Sequence, residues 1–262
     1  MYEFQQMAAV LYLASGVGAL LGLALPARRI QIGARWGLGL GALVQGVAFA
    51  TLHRIEPAPS LTDLAQAVAL MAWISVLFLL VLYSRFRLPG FLPPTAFVAF
   101  VATFSAAVSQ PGHTDVSEAS GSIPHAHILL ASSGLAALGI AGLAGFFYLL
   151  EHQRLKRRDN PVKRIPLPSL EALDRVNRVS IALGFALLSL GVITGSLWLD
   201  SRGGPFLSGS LHETWTLIAW LIYLGLFILR FGGRQGARQA AASALAGFAF
   251  LVFAVLGSGL AA

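Results

Sequence analysis

The sequence predicts an all-α protein: a polytopic membrane helix bundle of eight transmembrane helices, with both termini on the extracytoplasmic side. Of the 262 residues, 56% are hydrophobic and 11% are charged, whereas about 25% of residues are charged in soluble domains. Eight apolar stretches each reach the roughly 20 residues that a helix needs to cross a bilayer. Of the 18 Lys and Arg residues, 16 lie in alternate connections between these stretches or within three residues of those connections.

The predicted spans follow one another with short connections, so we treat residues 1–262 as a single transmembrane domain. The spans are 6–26, 34–53, 63–84, 90–109, 127–151, 176–199, 212–231 and 239–260. No basic residue precedes Arg28, and a signal peptide begins with a basic segment. We therefore expect the first stretch to be a retained span.

The basic residues fix the expected orientation of the spans. Those on the shared side are Arg28, Arg29, Arg35, Arg85, Arg87, Arg154, Lys156, Arg157, Arg158, Lys163, Arg164, Arg175, Arg178, Arg230, Arg234 and Arg238. Cytoplasmic loops of membrane proteins carry such an excess, which places this side in the cytoplasm and the protein in the cell inner (plasma) membrane. The expected partner of these charges is anionic membrane lipid, and we expect no nucleic acid.

Two further features bear on the connections. Leu167, Leu170, Leu173 and Val176 repeat every third residue with charges between them, which predicts a short interfacial helix leading into the sixth span. The chain has no cysteine, so it forms no disulfide and offers no thiolate ligand.

Three histidines fall at the predicted outer boundary of the membrane. His53 ends the second span, His127 begins the fifth and His212 begins the seventh. Imidazoles from two facing helices can hold the iron of a b-type haem. We therefore take His53, His127 and His212 as candidate cofactor-binding residues, with His53 and His127 as axial ligands of haem b.

The helix faces beside these histidines are mostly small. The stripe before His53 is Gly39, Ala42, Gly46 and Phe49, and the stripe after His127 is Ala131, Gly134, Leu138, Ala141 and Gly145. Such stripes suit a flat ligand, but they serve helix packing equally well. A two-residue step turns a helix by about 200°, so we expect His127 to face inwards and His125 and His113 to face water. His152 is expected at the opposite, cytoplasmic interface.

Two stretches carry a resemblance to a known family: the stronger runs from Leu167 through Arg178 to Gly191, and the other is Glu213-Thr214-Trp215 at the start of the seventh span. On these residues the chain resembles the membrane cytochrome c assembly proteins, which include system II assembly factors and their HemX-like relatives, and Glu213-Thr214-Trp215 resembles the family's Glu-Thr-Trp helix. By resemblance, His53 matches a membrane histidine and His127 matches the outer histidine that opens a span. Three features depart from the family. Its tryptophan-rich outer segment is absent between Trp198 and Glu213, and Ile228 stands where the family often has a histidine. The chain also ends at Ala262, short of the last outer histidine that many members carry.

Three hypotheses follow. The first is a non-enzymatic membrane protein that binds or handles haem in cytochrome c assembly, with a membrane assembly factor or a cytochrome as partner. The second is a structural or accessory subunit that kept the fold and lost haem delivery. The third is a transporter, which the lack of acidic residues in the middle of the spans disfavours.

Overall fold

The computed structural model describes residues 2–25, 27–51, 64–109, 122–157, 166–201, 203, 211–233 and 235–260. Within these ranges the chain forms eight α-helices, which confirms the all-α prediction. The helices are α1 (Tyr2–Ala24), α2 (Arg28–Ala50), α3 (Leu64–Arg85), α4 (Leu92–Val108), α5 (Ser122–Arg157), α6 (Leu170–Ser201), α7 (Leu211–Phe231) and α8 (Ala237–Leu260).

By length and composition, seven of the eight described helices can cross a membrane; the eighth, α4, is apolar but has only 17 residues. At 1.5 Å per residue, α4 is about 25 Å long, slightly less than the hydrocarbon thickness of about 30 Å. Gly90, with φ of 91°, allows the tight turn before α4, and prolines occupy the first turn of the helix. Proline suits this turn because its missing N–H would have no helical partner.

Helices α5 and α6 are longer than predicted. α5 has 36 residues and α6 has 32, so each extends beyond its predicted span. The predicted interfacial helix is not a separate element, because the described helix runs without a break from Leu170. Ser169 caps it: its hydroxyl accepts a hydrogen bond from the Ala172 amide at 3.2 Å.

The chain divides into two compact units. Unit 1 contains α1 to α4, and in it α1 packs against α2 and α4, while α3 packs against α2 and α4. Unit 2 contains α5 to α8, and in it α5 packs against α6 and α8, while α7 packs against α6 and α8. The description of residues 1–262 as one domain stays a prediction.

Buried amides connect the helices of unit 1. Gln5 of α1 donates to the Gln66 side chain of α3 at 2.9 Å, and Gln66 donates to the Ala106 carbonyl of α4 at 3.2 Å. The Tyr12 hydroxyl of α1 donates to Gln45 of α2 at 2.7 Å. An apolar environment offers these groups no water, so their cross-helix hydrogen bonds hold the four helices in one arrangement.

In unit 2, α5 and α6 form an antiparallel pair whose backbones nearly touch. A Cβ atom added at Gly134 of α5 would lie 2.6 Å from the Leu188 amide nitrogen, and one at Gly191 of α6 would lie 3.0 Å from Ala131 Cα. Only glycine permits such an approach. Further along the pair, Asn177 donates to the Ala141 carbonyl at 3.0 Å.

A partly buried ion pair joins α6 and α7 near the basic end of unit 2. Arg230 of α7 donates to Asp174 of α6 at 2.6 Å, and the Arg230 side chain is only 3% exposed. Arg178 reaches the same carboxylate at 3.6 Å but is 59% exposed. Asp174 therefore has one buried and one exposed arginine partner.

Candidate site at the His127 end of α5 and α6

The described residues contain only part of the predicted haem site. His53 and His113 lie outside them. Position 212 lies in the first turn of α7, but the His212 side chain also lies outside the description. Ala219 and Tyr223, on the stripe predicted for His212, are buried. The pairing of His53 with His127 therefore stays a prediction.

His127 lies in the second turn of α5, and its half-buried side chain faces α6. Its Nδ1 atom is 2.8 Å from the Gly191 carbonyl oxygen. A carbonyl can only accept a hydrogen bond, so Nδ1 carries the proton and the lone pair of the neutral ring resides on Nε2. The contact agrees with the expectation that His127 faces inwards.

Two more residues of α6 surround the imidazole. Gly195 lies beside it, such that an added Cβ would be 2.8 Å from Cε1 and 2.9 Å from Nδ1. The Trp198 indole, three residues further on, stacks with the imidazole at a centroid distance of 6.4 Å and an interplanar angle of 29°. The ring is thus held in a notch between a glycine and a tryptophan.

The two small stripes take part in helix packing. On α5, Gly134 and Leu138 contact α6, and Gly145 lies against α8. On α2, the Ala42 carbonyl accepts a hydrogen bond from the Trp73 indole of α3 at 2.7 Å, and Phe49 packs on the same indole with centroids 5.5 Å apart. The packing interpretation left open by the sequence is therefore the one that these contacts support.

The other described histidines are His125 and His152. His152 stacks on Tyr148 at a centroid distance of 6.2 Å near the opposite end of α5, beside the basic residues of its last turn. His125 is half-buried. From His127 to Arg154 the helix rises about 40 Å, which separates the notch from the basic end of the helix.

Sequence reasoning identified His127 but missed the residues of α6 that hold it. The overlooked signal is Gly191-Val-Ile-Thr-Gly195, a Gly-x-x-x-Gly pattern that favours close approach of membrane helices. Trp198 was noted only as the start of the segment that lacks tryptophan.

The imidazole and the indole at the notch suit a metal ion held in a planar macrocycle. A neutral imidazole whose Nδ1 is bound to a backbone carbonyl presents Nε2 as a ligand, the usual arrangement for metal-binding histidines. The neighbouring indole offers an apolar, planar surface. The helices define a multi-pass helical membrane protein. One end of its closely packed α5–α6 pair holds the His127 imidazole in a defined orientation.

The comparisons with known proteins specify the class further. The chain belongs to a family described as "Cytochrome C assembly protein", whose profile matches residues 61–262. It is 35% identical over 96 residues to "Cytochrome c biogenesis protein CcsA" of Prochlorococcus marinus strain MIT 9303, a match that covers 37% of this chain and 30% of that protein.

Other strains give similar matches to proteins with the same name. For strain NATL1A the identity is 33% over 101 residues, which cover 38% of this chain and 32% of the relative. For strain MIT 9515 it is 37% over 87 residues, which cover 33% of this chain and 28% of the relative. The aligned part thus spans about 30% of the length of these relatives.

Proposed function

We propose that this membrane protein binds haem at its outer face during cytochrome c assembly, with Nε2 of His127 as an axial ligand of the iron. The carrying observation is the hydrogen bond from His127 Nδ1 to the Gly191 carbonyl, 2.8 Å long, because it leaves Nε2 as the nitrogen with the lone pair. Family membership and the name of the relatives support the same role. The role is non-enzymatic: the chain's residues bind and orient the group.

His53 and His212 are the candidates for the second axial ligand, with His53 favoured by the family resemblance. Two imidazoles would give a six-coordinate b-type site. Haem bound there would supply a redox-active iron. The chain's own contributions would be to fix the imidazole ring and to provide the indole surface of Trp198 beside it.

An absorption spectrum of the purified protein, expressed with added haem, tests this proposal. We expect a Soret band that is lost or strongly weakened in His127→Ala and in His53→Ala. His152→Ala is the matched control, since it removes an imidazole from the same helix at the opposite end. Absence of a Soret band in both redox states of the unsubstituted protein would refute the proposal.

In the proposed location and orientation, the protein lies in the cell inner membrane and the basic ends of its helices face the cytoplasm. Because the chain has no cysteine, single cysteines can be placed at Lys156, in the last turn of α5, and at Ser201, at the end of α6. In intact spheroplasts, a membrane-impermeant maleimide should label the cysteine at 201 and not the one at 156. The reverse pattern would invert the proposed topology.

A structural or accessory subunit that no longer delivers haem is the second candidate function. The observation that favours it is the lack of tryptophan between Trp198 and Glu213, where the family has its tryptophan-rich segment. Isolation of the protein without haem, in a stable complex with another membrane assembly factor or with a cytochrome, would favour this alternative. A haem-loaded protein would favour the first proposal.

A further inference from the structure

Helix α6 supplies three residues that surround the His127 imidazole, and each of them has a different effect. The Gly191 carbonyl accepts from Nδ1 at 2.8 Å and so selects one tautomer of the neutral imidazole. In water the two tautomers interconvert, and the other form would present Nδ1 as the ligand. The hydrogen bond therefore determines which nitrogen can meet a metal.

Gly195 controls whether the ring can reach that carbonyl. The three atoms closest to a Cβ added at Gly195 all belong to the His127 imidazole: Cε1 at 2.8 Å, Nδ1 at 2.9 Å and Nε2 at 3.6 Å. The added methyl group would therefore collide with a side chain that can rotate, and not with a backbone. At Gly191, in contrast, the nearest atoms belong to the Ala131 backbone.

Trp198 flanks the same ring, 6.4 Å away between centroids. An imidazole displaced from the glycine notch would lose this stacking together with its hydrogen bond. The position and the tautomer of the ring thus both depend on the lack of a side chain at Gly195.

We propose that Gly195 and Gly191 are positioning residues for the His127 ligand: Gly195 admits the ring, and the Gly191 carbonyl fixes its Nδ1–H tautomer so that only Nε2 can bind a metal. This inference rests on the proposed function for the identity of the ligand. The tautomer itself is a property of the protein without any ligand.

The matched pair of variants is Gly195→Ala and Gly225→Ala. Both add one methyl group to a helix of unit 2, but a Cβ at Gly225 of α7 would have no atom within 4 Å. The full-length protein is purified without haem, and ¹⁵N NMR of its labelled histidines is recorded at a pH where imidazole is neutral. The His127 signals are identified by their loss in His127→Ala.

We expect the Nδ1–H form of His127 in the unsubstituted protein and in Gly225→Ala. In Gly195→Ala we expect a mixture of tautomers. Hemin titration followed at the Soret band should show at least a tenfold loss of affinity in Gly195→Ala and less than a twofold change in Gly225→Ala. The thermal unfolding midpoint should be similar in both variants, which separates ring positioning from a general loss of fold.

The outcomes distinguish this inference from the proposed function. A predominant Nε2–H tautomer in the unsubstituted protein overturns the inference, and that measurement requires no variant to fold. Equal hemin affinity and equal tautomer in Gly195→Ala and the unsubstituted protein also overturn it, while haem binding stands. If the unsubstituted protein binds no hemin but shows the locked Nδ1–H tautomer, the proposed function fails and the positioning by α6 is supported.

Discussion

Replacement of Arg230 by Met is expected to destabilise the protein far more than replacement of Arg178 by Met, although both arginines reach Asp174. Arg230 is 3% exposed and its contact is 2.6 Å long, whereas Arg178 is 59% exposed at 3.6 Å. Removing one partner of a buried pair costs about 3–5 kcal/mol. Because Asp174 is 22% exposed and keeps Arg178, we expect the lower part of that range or less, about 2–3 kcal/mol.

For Arg178→Met we expect at most about 1 kcal/mol, the value typical of exposed ion pairs. A difference of about 2 kcal/mol corresponds to roughly a 30-fold change in the unfolding equilibrium constant. Reversible unfolding in mixed detergent micelles with increasing SDS, followed by circular dichroism, measures it. The double variant Asp174→Asn with Arg230→Met should lose less stability than the sum of the two single variants. Equal losses for Arg178→Met and Arg230→Met would refute the reasoning from burial.

Two more predictions concern contacts within one unit each. Tyr12→Phe should destabilise unit 1 by about 1 kcal/mol, because it leaves the buried Gln45 oxygen without its donor; an unchanged SDS midpoint would contradict this. Gly134→Ala should destabilise unit 2 by about 1–3 kcal/mol, because the new methyl group would meet the Leu188 backbone. Gly39→Ala is its control, since a Cβ there has no atom within 4 Å, and equal effects of the two alanines would contradict the prediction.

Hydrophobicity was enough to predict the eight helices, because the bilayer sets both their length and their composition. Helix ends were less predictable. α5 continues to Arg157 since Arg154, Lys156 and Arg157 are good helix formers that complement the negative end of the helix. A hydropathy pattern ends where charge begins, so it places the end of the span and not the end of the helix.

The candidate site was predictable in part. A histidine at the start of an apolar span is visible in the sequence, and its expected inward direction follows from helix periodicity. Its partners come from α6, and the first of them, Gly191, is 64 residues away from His127 along the chain. The glycines at 191 and 195 matter because they leave space where other residues have a side chain. Which neighbour fills that space depends on the register between α5 and α6. The periodicity within each helix does not determine this register.

The amide contacts of unit 1 have a consequence for how its sequence can vary. Lipid chains are as apolar as the leucine side chains that face them, so solvation by lipid hardly favours one rotation of an apolar helix about its axis over another. The hydrogen bonds of Gln5, Gln45 and Gln66 supply that preference. Outward positions such as Leu43, which is 70% exposed, should then accept many apolar replacements. The three glutamines, in contrast, determine the rotation of the helices of unit 1 about their axes.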